Sequence, residues 1–339
     1  MSAIRTAVAA APAKVSTTNT GALPGAGLAR FLHLRGRRVV EACGIRWYSV
    51  KNGLYMSLPY QLEPCLEPRQ VEEMLKSIGA LGVRFPSRSR PGLPSGLYVC
   101  RQRDYDFDSV KRQFRAHVRR GLAACEMRRV REQELLRQGH VLNLQTMERQ
   151  GRYDPEFGDL DRWERFVHAI GQCPEIVPMG AFANDRLLAY AITCREDGWL
   201  HVLHQMSRSD ALDQHPNHTL TFALTREIAT NPEIEAVCLG YKALLDQDGL
   251  HQYKKRFGYE MIEQNSVIQL RPAAAALLSN RYSIRAVQAL RRRRPLDQTL
   301  EMAASVMVGA RLSRGLPCGD GPGQPVAPGA QCADDREAA

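Results

Sequence analysis

The segment Gly249-Leu-His-Gln-Tyr-Lys-Lys-Arg-Phe-Gly-Tyr-Glu260 decides how the second half of this 339-residue chain folds. Residues from Leu250 to Arg256 are predicted to form a short basic helix, which the phenylalanine that follows packs against the core. Gly258 suits the position just after a helix, because glycine adopts a left-handed backbone without strain. The last two residues enter a strand. The segment therefore predicts a helix-to-strand step, and this pattern alone carries no chemistry.

The residues before this segment have the pattern of a β-rich domain. Apolar runs separated by the turn sequences Asn184-Asp185 and Glu196-Asp-Gly198 predict a series of antiparallel strands. A helix from Pro216 to about Thr230 and a buried strand, Glu235 to Gly240, come next. The predicted order is hairpins first, then helix, strand, helix and strand.

The first half, from about Arg37 to Val130, also combines strands with helices. Lys51-Asn-Gly53 between two β-rich runs predicts a hairpin, and Pro68 opens a helix. A second helix, capped by Asp106 or Asp108, is predicted to run to about Cys125 and is strongly basic. Its cationic residues form either a solvated face or a docking surface for an anionic donor; they are Lys111, Arg112, Arg115, Arg119 and Arg120.

Composition narrows the class of protein without choosing a partner. The formal charge of +10 indicates attraction to polyanions, and nucleic acid, a CoA pyrophosphate and an anionic membrane fit it equally well. The nine cysteines are dispersed and no apolar run reaches about 18 residues, so we expect reduced thiols, no transmembrane helix and a cytoplasmic protein. The Ala- and Thr-rich first residues predict a disordered leader, the alternative being a weak organelle presequence.

The segment quoted above resembles the closing helix-to-strand step of GNAT-type acyltransferases, and more closely the "Phe/Tyr-Lys-x-x-Phe-Gly" variant of their FemAB-like relatives. The resemblance covers about 178–270 by motif and implies an α/β (α+β) fold. It implies tandem GNAT-like domains, each with a mixed, mostly antiparallel sheet flanked by helices. The expected organisation is a leader (1–30), a first domain with a vestigial site (31–140), an acyltransferase domain (141–272), C-terminal helices (273–313) and a disordered tail (314–339).

One stretch departs from the GNAT pattern. GNAT enzymes carry a glycine-rich turn whose amides hold the CoA pyrophosphate at a helix N-terminus, but residues 207–219 contain no glycine. FemAB-like proteins also lack that turn, so the resemblance persists while acetyl-CoA as donor is placed in doubt. The helix start still predicts a phosphate site formed by Asn217, His218 and Thr219.

The resemblance also implies catalytic residues. Tyr253 matches the tyrosine that protonates the departing thiolate in many GNAT enzymes, although a core tyrosine would fit the position equally well. Lys254 matches the lysine that neutralises charge on the donor in FemAB-like transferases, an arrangement that suits acyl transfer because charge grows on an oxygen. The attacking amine needs a base, for which the nearest predicted groups are Asp246, Asp248 and His204.

Metal binding is not expected. His201 and His204 lie three apart in a predicted strand, which would point them to opposite faces of the sheet. His215 and His218 flank a helix start, but no acidic residue or cysteine stands at a spacing that completes a site.

The sequence therefore predicts a FemAB-like or GNAT-type N-acyltransferase. Its donor would be an acyl-CoA or an aminoacyl-tRNA, and its acceptor an amine, with an envelope or polysaccharide precursor as one expected class. The protein would be cytoplasmic or peripheral to the inner face of the membrane. The alternative is a non-catalytic protein that binds RNA or an anionic membrane through basic residues such as Arg291 to Arg294. That run also fits a solvated turn between two capping helices.

Overall fold

The computed structural model describes residues 23–51, 53–242, 248–293 and 298–317. In this part of the chain the strands are β1 (Val39–Ala42), β2 (Ile45–Lys51), β3 (Leu54–Leu58), β4 (Gly82–Ser87), β5 (Leu93–Cys100), β6 (Glu126–Arg129), β7 (Ile176–Ala183), β8 (Arg186–Glu196), β9 (Trp199–Ser207), β10 (Ala236–Tyr241) and β11 (Glu260–Leu270).

The described helices are α1 (Ala26–Leu34), α2 (Pro68–Ser77), α3 (Arg112–Ala124), α4 (Glu132–Glu134), α5 (His140–Arg149), α6 (Pro155–Gly158), α7 (Leu160–Gly171), α8 (Pro216–Thr230), α9 (Asp248–Arg256), α10 (Pro272–Leu278), α11 (Arg281–Arg293) and α12 (Gln298–Leu312). A π-helical turn, Leu135–Gly139, joins α4 to α5, and a 3-10 helix, Ser209–Gln214, precedes α8. No helix among these is long and apolar enough to cross a bilayer.

All the strands belong to one sheet with the order β1-β2-β3-β4-β11-β5-β10-β9-β8-β7-β6. This order contains an internal two-fold repeat, since the series β2, β3, β4, β11 has the same pairing directions as the series β8, β9, β10, β5. In each series a helix, α2 or α8, connects the two strands that run parallel. The two halves exchange their last strands, because β11 pairs with β4 of the first half and β5 pairs with β10 of the second.

Each half contains one short parallel contact that opens into a gap. The β3–β4 contact and the β9–β10 contact comprise three residue pairs each, ending at Met56–Arg84 and at Cys238–His201. Beyond these residue pairs the two parallel strands are no longer paired with each other. We call the openings the first-half gap and the second-half gap.

Alternate residues of β11 show which helices cover which face. Met261 packs with the cluster of α3 and α8, and Val267 with the cluster of α2, so these three helices cover the same face, the front face. Ile268 packs against α12 on the opposite, back face. The back face also carries α1, α5 and α7, whose apolar residues pack against β8.

The helix α1 corrects the predicted boundary of the leader. Residues 26–30 were expected to be disordered, but they begin a helix whose Phe31 side chain is fully buried. Acidic residues of the β8–β9 turn hold its first turn, since Asp197 Oδ2 accepts from the Gly25 amide at 2.8 Å and Glu196 Oε2 accepts from the Leu28 amide at 3.1 Å. These partners lie about 170 residues away in sequence, so local patterns do not reveal them.

Candidate active site

The predicted helix-to-strand step is present and anchors one side of the site. Helix α9 ends at Arg256, and Gly258 has a left-handed backbone with φ of 81°. The Gly258 amide donates to the Lys255 carbonyl, and the next amide donates to the Lys254 carbonyl, which closes the helix end. The Lys111 amide donates to the Arg256 carbonyl at 2.8 Å, so α3 docks directly on this end.

Lys254 is buried at the end of β10, beside the second-half gap. Its side chain is 6% exposed, and Nζ donates to the carbonyl oxygens of Leu239 at 2.7 Å and Tyr241 at 3.4 Å. The ammonium lies 4.3 Å from the centre of the Tyr98 ring. Burial lowers the pKa of Lys254 to about 8, from an ordinary value of 10.5. A cation is thus fixed next to the point where the parallel strands separate.

Tyr253 belongs to a polar cluster between α9 and the start of α8. Its hydroxyl lies 2.9 Å from Thr221 Oγ1 and donates to the Asn217 carbonyl at 3.0 Å. Gln205 Nε2 donates to Asn217 Oδ1 at 3.0 Å, and Asn217 Nδ2 donates to Ser207 Oγ at 2.8 Å. Burial raises the pKa of Tyr253, so the phenol keeps its proton near neutral pH.

Sequence reasoning missed Gln205 and Thr221. The available signal was the alternation of polar Gln205 and Ser207 at the end of a strand whose earlier front-face residues, Leu200 and Val202, are apolar.

The first turn of α8, the predicted phosphate site, lies under α3. The amides of His218 and Thr219 both donate to the His215 carbonyl, and Pro216 has no N–H. Thr219 is fully buried, and a Cβ built on Gly121 of α3 would collide with its hydroxyl. The structure therefore gives Thr219 a packing contact, while phosphate binding by Asn217, His218 and Thr219 stays a prediction.

Three histidine rings join α3 to the start of α8. His117 and His215 stack at 4.2 Å, and His218 lies 5.0 Å from His117 and 4.8 Å from Phe114. Burial and the two neighbouring histidines lower the pKa of His218 to about 4. No group of three or more His, Cys, Asp or Glu residues in the described part of the chain could hold a metal ion.

The predicted base His204 lies on the other face of the sheet from Tyr253. Its ring is 4.6 Å from Phe157 and 5.8 Å from Phe166. Burial, then the charges of Arg35 and Arg152, lower its pKa to about 3. His204 is therefore neutral at ordinary pH and enclosed by back-face aromatic residues, so the structure does not bring it together with Lys254.

The expectation that His201 and His204 point to opposite faces is wrong. His201 is paired with Cys194 and His204 with Ile192, and both partners belong to the same back-face cluster. The register shifts between these pairs, which leaves Leu203 as an extra residue. Such a bulge breaks the two-residue alternation of a strand, and both rings end on one face.

The remaining predicted bases are Asp246 and Asp248. Asp246 lies outside the described residues. Asp248 is the first residue of α9, which places its backbone in the turn before Lys254 by sequence. Their role as proton acceptors stays a prediction.

The exposed basic residues of α3 and a cavity at the π-helical turn are two further surface features. Lys111, just before α3, and Arg112, Arg119 and Arg120 on α3 are exposed, whereas Arg115 forms an ion pair with Asp108. A cavity of about 920 Å³ lies instead at the π-helical turn, lined by residues 131–134, 136–138 and Asp185. None of the predicted site residues within the described part of the chain is among those that line this cavity.

Comparison with known proteins identifies the fold. No protein-family model matches the sequence, and no curated protein matches it significantly. Among solved structures, FemX is 14% identical, with a TM-score of 0.50 over 74% of this chain and 92% of the FemX chain. The C-terminal domain of a putative lysylphosphatidylglycerol synthetase from Agrobacterium fabrum is 10% identical, with a TM-score of 0.47 over 74% and 89%. A tandem GNAT protein from the clavulanic acid biosynthesis pathway is 11% identical, with a TM-score of 0.40 over 68% and 80%.

The likeness to FemX at this identity establishes a shared fold and no activity. Together with the strand exchange and the internal repeat of the sheet, it confirms the predicted fold class, a mixed and mostly antiparallel sheet flanked by helices and built from two related halves.

Proposed function

We propose that the protein is an N-acyltransferase that moves an acyl or aminoacyl group from a CoA thioester or an aminoacyl-tRNA ester to an amine. The carrying observation is the buried ammonium of Lys254, held by the Leu239 and Tyr241 carbonyls at the mouth of the second-half gap. Amine attack on the ester carbonyl places negative charge on its oxygen. A fixed cation in a site that excludes water stabilises that charge without reorganising.

Tyr253 would supply the proton that the leaving group needs. In this reaction the new N–C bond forms and the C–S or C–O bond breaks, the amine loses a proton, and the departing thiolate or alkoxide gains one. Burial keeps the Tyr253 phenol protonated, and its hydroxyl is oriented by donating to the Asn217 carbonyl and by a hydrogen bond with Thr221 Oγ1. Asp246 or Asp248 would accept the proton of the amine, as the sequence predicts.

The surroundings of α8 bear on the class of donor. Its first turn is covered by Gly121 of α3, whereas the outer surface of α3 exposes Lys111, Arg112, Arg119 and Arg120. A glycine-rich pyrophosphate cradle is absent from residues 207–219. These features favour a large anionic donor that lies along α3, such as an aminoacyl-tRNA, over a CoA held by the α8 amides.

The test is a ligand screen followed by a transfer assay. Melting temperature is measured with acetyl-CoA, a longer acyl-CoA and an aminoacyl-tRNA analogue with a stable amide link, because a ligand that binds the native state raises it. Transfer of labelled acyl group from the binding donor to a panel of amines is then followed by mass spectrometry. Stabilisation by one donor together with amide formation supports the function. Failure of every donor to bind would overturn it.

A second candidate function is docking to an anionic membrane. Residues 271–293 contain six arginines and no acidic residue, and Leu277 and Tyr282 are 68% and 66% exposed beside them. Apolar side chains combined with basic ones favour the surface of an anionic bilayer, where each cation contributes about 1 kcal/mol. The protein would then work at the inner face of the membrane, on a lipid-linked envelope precursor or as a non-catalytic binder.

Vesicle sedimentation tests this second function. Binding to vesicles rich in phosphatidylglycerol, but not to phosphatidylcholine vesicles, is expected, and Leu277→Ser with Tyr282→Ser should weaken it. Arg69→Gln, an exposed arginine on α2 paired with Glu73, is the control. Equal binding to both vesicle types, or to RNA alone, would contradict membrane docking.

A further inference from the structure

A small pocket opens on the back face at the centre of the sheet, where the two halves exchange strands. It is lined by Met56, Arg84, Phe85, Pro86, Ser95, Tyr241, Gln264 and Ser266. These residues come from β3, β4, β5, β10 and β11, so both halves contribute to it. Its volume is about 10 Å³, enough for roughly one water molecule or one ligand oxygen atom. We call it the Arg84 pocket.

Arg84 carries a charge into this pocket without a carboxylate to balance it. Its Nε donates to Ser266 Oγ at 2.6 Å, and its guanidinium lies 5.9 Å from the centre of the Tyr241 ring. Among the ion pairs of the described residues, none involves Arg84. The Arg84 side chain is half-buried, and a guanidinium in such a position can form charge-assisted hydrogen bonds with an anionic ligand.

Ser95 provides a second, independent sign of a missing partner. It is 8% exposed and its Oγ has no hydrogen-bond partner among the described residues, although it lines the same pocket. A buried hydroxyl without a partner costs stability, so such groups are rare unless a ligand or water pairs with them. A guanidinium and a free hydroxyl that face a space of this size match a single oxygen atom of a carboxylate or phosphate whose remaining atoms lie outside the pocket.

The Arg84 pocket lies next to the proposed reaction site. Tyr241 forms part of its wall, and the backbone carbonyl of the same residue accepts from Lys254 Nζ. Tyr241 also donates from its hydroxyl to the Tyr60 carbonyl at 2.7 Å, which fixes the wall. Tyr241 would thus separate a molecule held in the pocket from the Lys254 ammonium at the second-half gap. The molecule would lie on the opposite face of the sheet from Tyr253.

We propose that the Arg84 pocket binds one oxygen atom of the anionic group of the amine acceptor, so that the acceptor is an amine that also carries a carboxylate or a phosphate. Arg84 holds the oxyanion through its guanidinium, and Ser95 donates a hydrogen bond to it. This assignment rests on the proposed acyl transfer for the word acceptor, but anion binding by the pocket can be measured without any transfer.

The first experiment observes the pocket directly by NMR. The Nε–Hε signal of Arg84 is assigned by its loss in Arg84→Gln, and acetate and inorganic phosphate are titrated separately. A saturable shift at Arg84 is expected with one of them. Arg90 is the internal control, because it also reaches β11, through Gln269, but its guanidinium bonds Leu66 and Gln269 away from the pocket.

The result assigns the chemistry of the anion. Response to acetate alone identifies a carboxylate, and response to phosphate alone or to both identifies a site that accepts a phosphate; each of these supports the proposal. No shift at Arg84, or an equal shift at Arg90, overturns it. Ser95→Ala should weaken the binding about 3- to 10-fold without lowering the free energy of unfolding, since the hydroxyl has no partner in the unliganded protein.

The second experiment connects the pocket to transfer. Matched acceptor pairs are compared with the donor found above: glycine with glycinamide, and phosphoethanolamine with ethanolamine. The wild type should prefer one anionic member, and Arg84→Gln should raise KM for it about 10- to 100-fold while leaving the neutral member unchanged. The KM of Arg84→Lys for the anionic acceptor should lie between those of the wild type and Arg84→Gln. Arg90→Gln should keep the wild-type preference for the anionic acceptor.

The two experiments distinguish failure of the anion site from failure of the proposed acyl transfer. Loss of the anion preference in Arg90→Gln as well as in Arg84→Gln would overturn the role of the pocket in acceptor choice while transfer itself stands. Absence of transfer to every amine, with a saturable NMR shift at Arg84, would remove the acyltransferase function and keep the anion site.

Discussion

The two halves of the sheet have the same strand plan but different connections at their gaps. In the second half, 18 residues join β10 to β11 and include α9, which carries Tyr253 and Lys254. In the first half, five residues join β4 to β5, which leaves no room for an equivalent helix. The first-half gap therefore lacks a counterpart of Lys254 in this connection and instead has Arg84 at the end of its parallel contact.

The helices that follow the third strand of each half also differ. Both α2 and α8 have proline at the first turn. Gln70 closes the start of α2 by accepting from the Glu67 amide at 2.9 Å, whereas α8 has no side-chain cap and is covered by α3. Under the proposed function, the second half would position the reacting groups and the first half would contribute a charge for acceptor recognition.

The largest effect is expected from removing the ammonium group of Lys254, which distinguishes the second half from the first. Lys254→Met keeps the aliphatic stem and should lower the transfer rate about 100- to 1000-fold, the usual effect of losing one group that stabilises an oxyanion. The rate is measured at saturating donor. Lys255→Met, one residue away on the exposed side of α9, is the matched control and should stay within about twofold of the wild type. Equal losses in the two variants would remove Lys254 from the reaction.

Dependence on pH sharpens the assignment of Lys254. Burial lowers the pKa of Lys254 in the folded protein to about 8, so between pH 8 and 10.5 the unfolded chain holds a proton that the folded protein has released. The contribution of this group to the free energy of unfolding should therefore increase with pH in that window, by about 3 kcal/mol in all. Urea denaturation of the wild type and Lys254→Met, compared from pH 7 to 10.5, measures it.

Transfer should change in the opposite direction, because the ammonium form is the one that stabilises the oxyanion. The transfer rate should fall as pH rises through about 8. In Lys254→Arg the same fall in rate should occur at a higher pH, because arginine keeps its proton. Two results would show that Lys254 does not titrate in this range. One is the same dependence of unfolding free energy on pH in the wild type and Lys254→Met, and the other is a fall in transfer rate at the same pH in the wild type and Lys254→Arg.

The contact between α3 and α8, which distinguishes the second half, can be broken sterically. Gly121→Ala would push a methyl group against Thr219 and within 2.9 Å of the His215 carbonyl, at a cost of about 1 to 3 kcal/mol. Gly249→Ala in α9 meets nothing within 4 Å and should be neutral or stabilising by about 0.5 kcal/mol. Chemical denaturation checks both, and a Gly121→Ala protein as stable as the wild type would show that α3 does not pack closely on α8.

The smallest expected effect concerns acid. The pKa of His218 is lowered to about 4 by burial and by His117 and His215, so the folded protein disfavours protonation of this ring, which packs against Phe114 and Tyr253. Stability should be lost as pH falls from 6.5 towards 4, and His218→Phe should remove about 1 kcal/mol of that loss. Denaturation midpoints at pH 7 and 4.5 test this, with unchanged acid sensitivity in His218→Phe as the contrary result.

Sequence patterns predicted local features well and long-range ones poorly. The step from α9 through Gly258 to β11 was readable, because a basic helix, a left-handed glycine and a strand follow one another in sequence. The strand exchange was not, since β11 pairs with β4 across about 180 residues. The bulge at Leu203, which put His201 and His204 on one face, has no sequence signal of its own.

The site shows the same division. Tyr253 and Lys254 were predicted through a resemblance to short motifs, and their catalytic roles stay predictions; the structure adds the contacts of Tyr253 with Asn217 and of Lys254 with Leu239. Arg84 was not found, because a lone arginine in a strand usually faces solvent and only the strand exchange surrounds it with Ser95, Gln264 and Tyr241. Residues that acquire their role from partners distant in sequence need the fold before they can be recognised.

The most direct test of the central claim is a crystal structure with a non-hydrolysable donor analogue. We expect the analogue to insert between β9 and β10, with its carbonyl oxygen within about 3 to 4 Å of Lys254 Nζ. Binding in the first-half gap, or in the cavity beside Arg131 with Lys254 Nζ still bonded to the Leu239 and Tyr241 carbonyls, would contradict it.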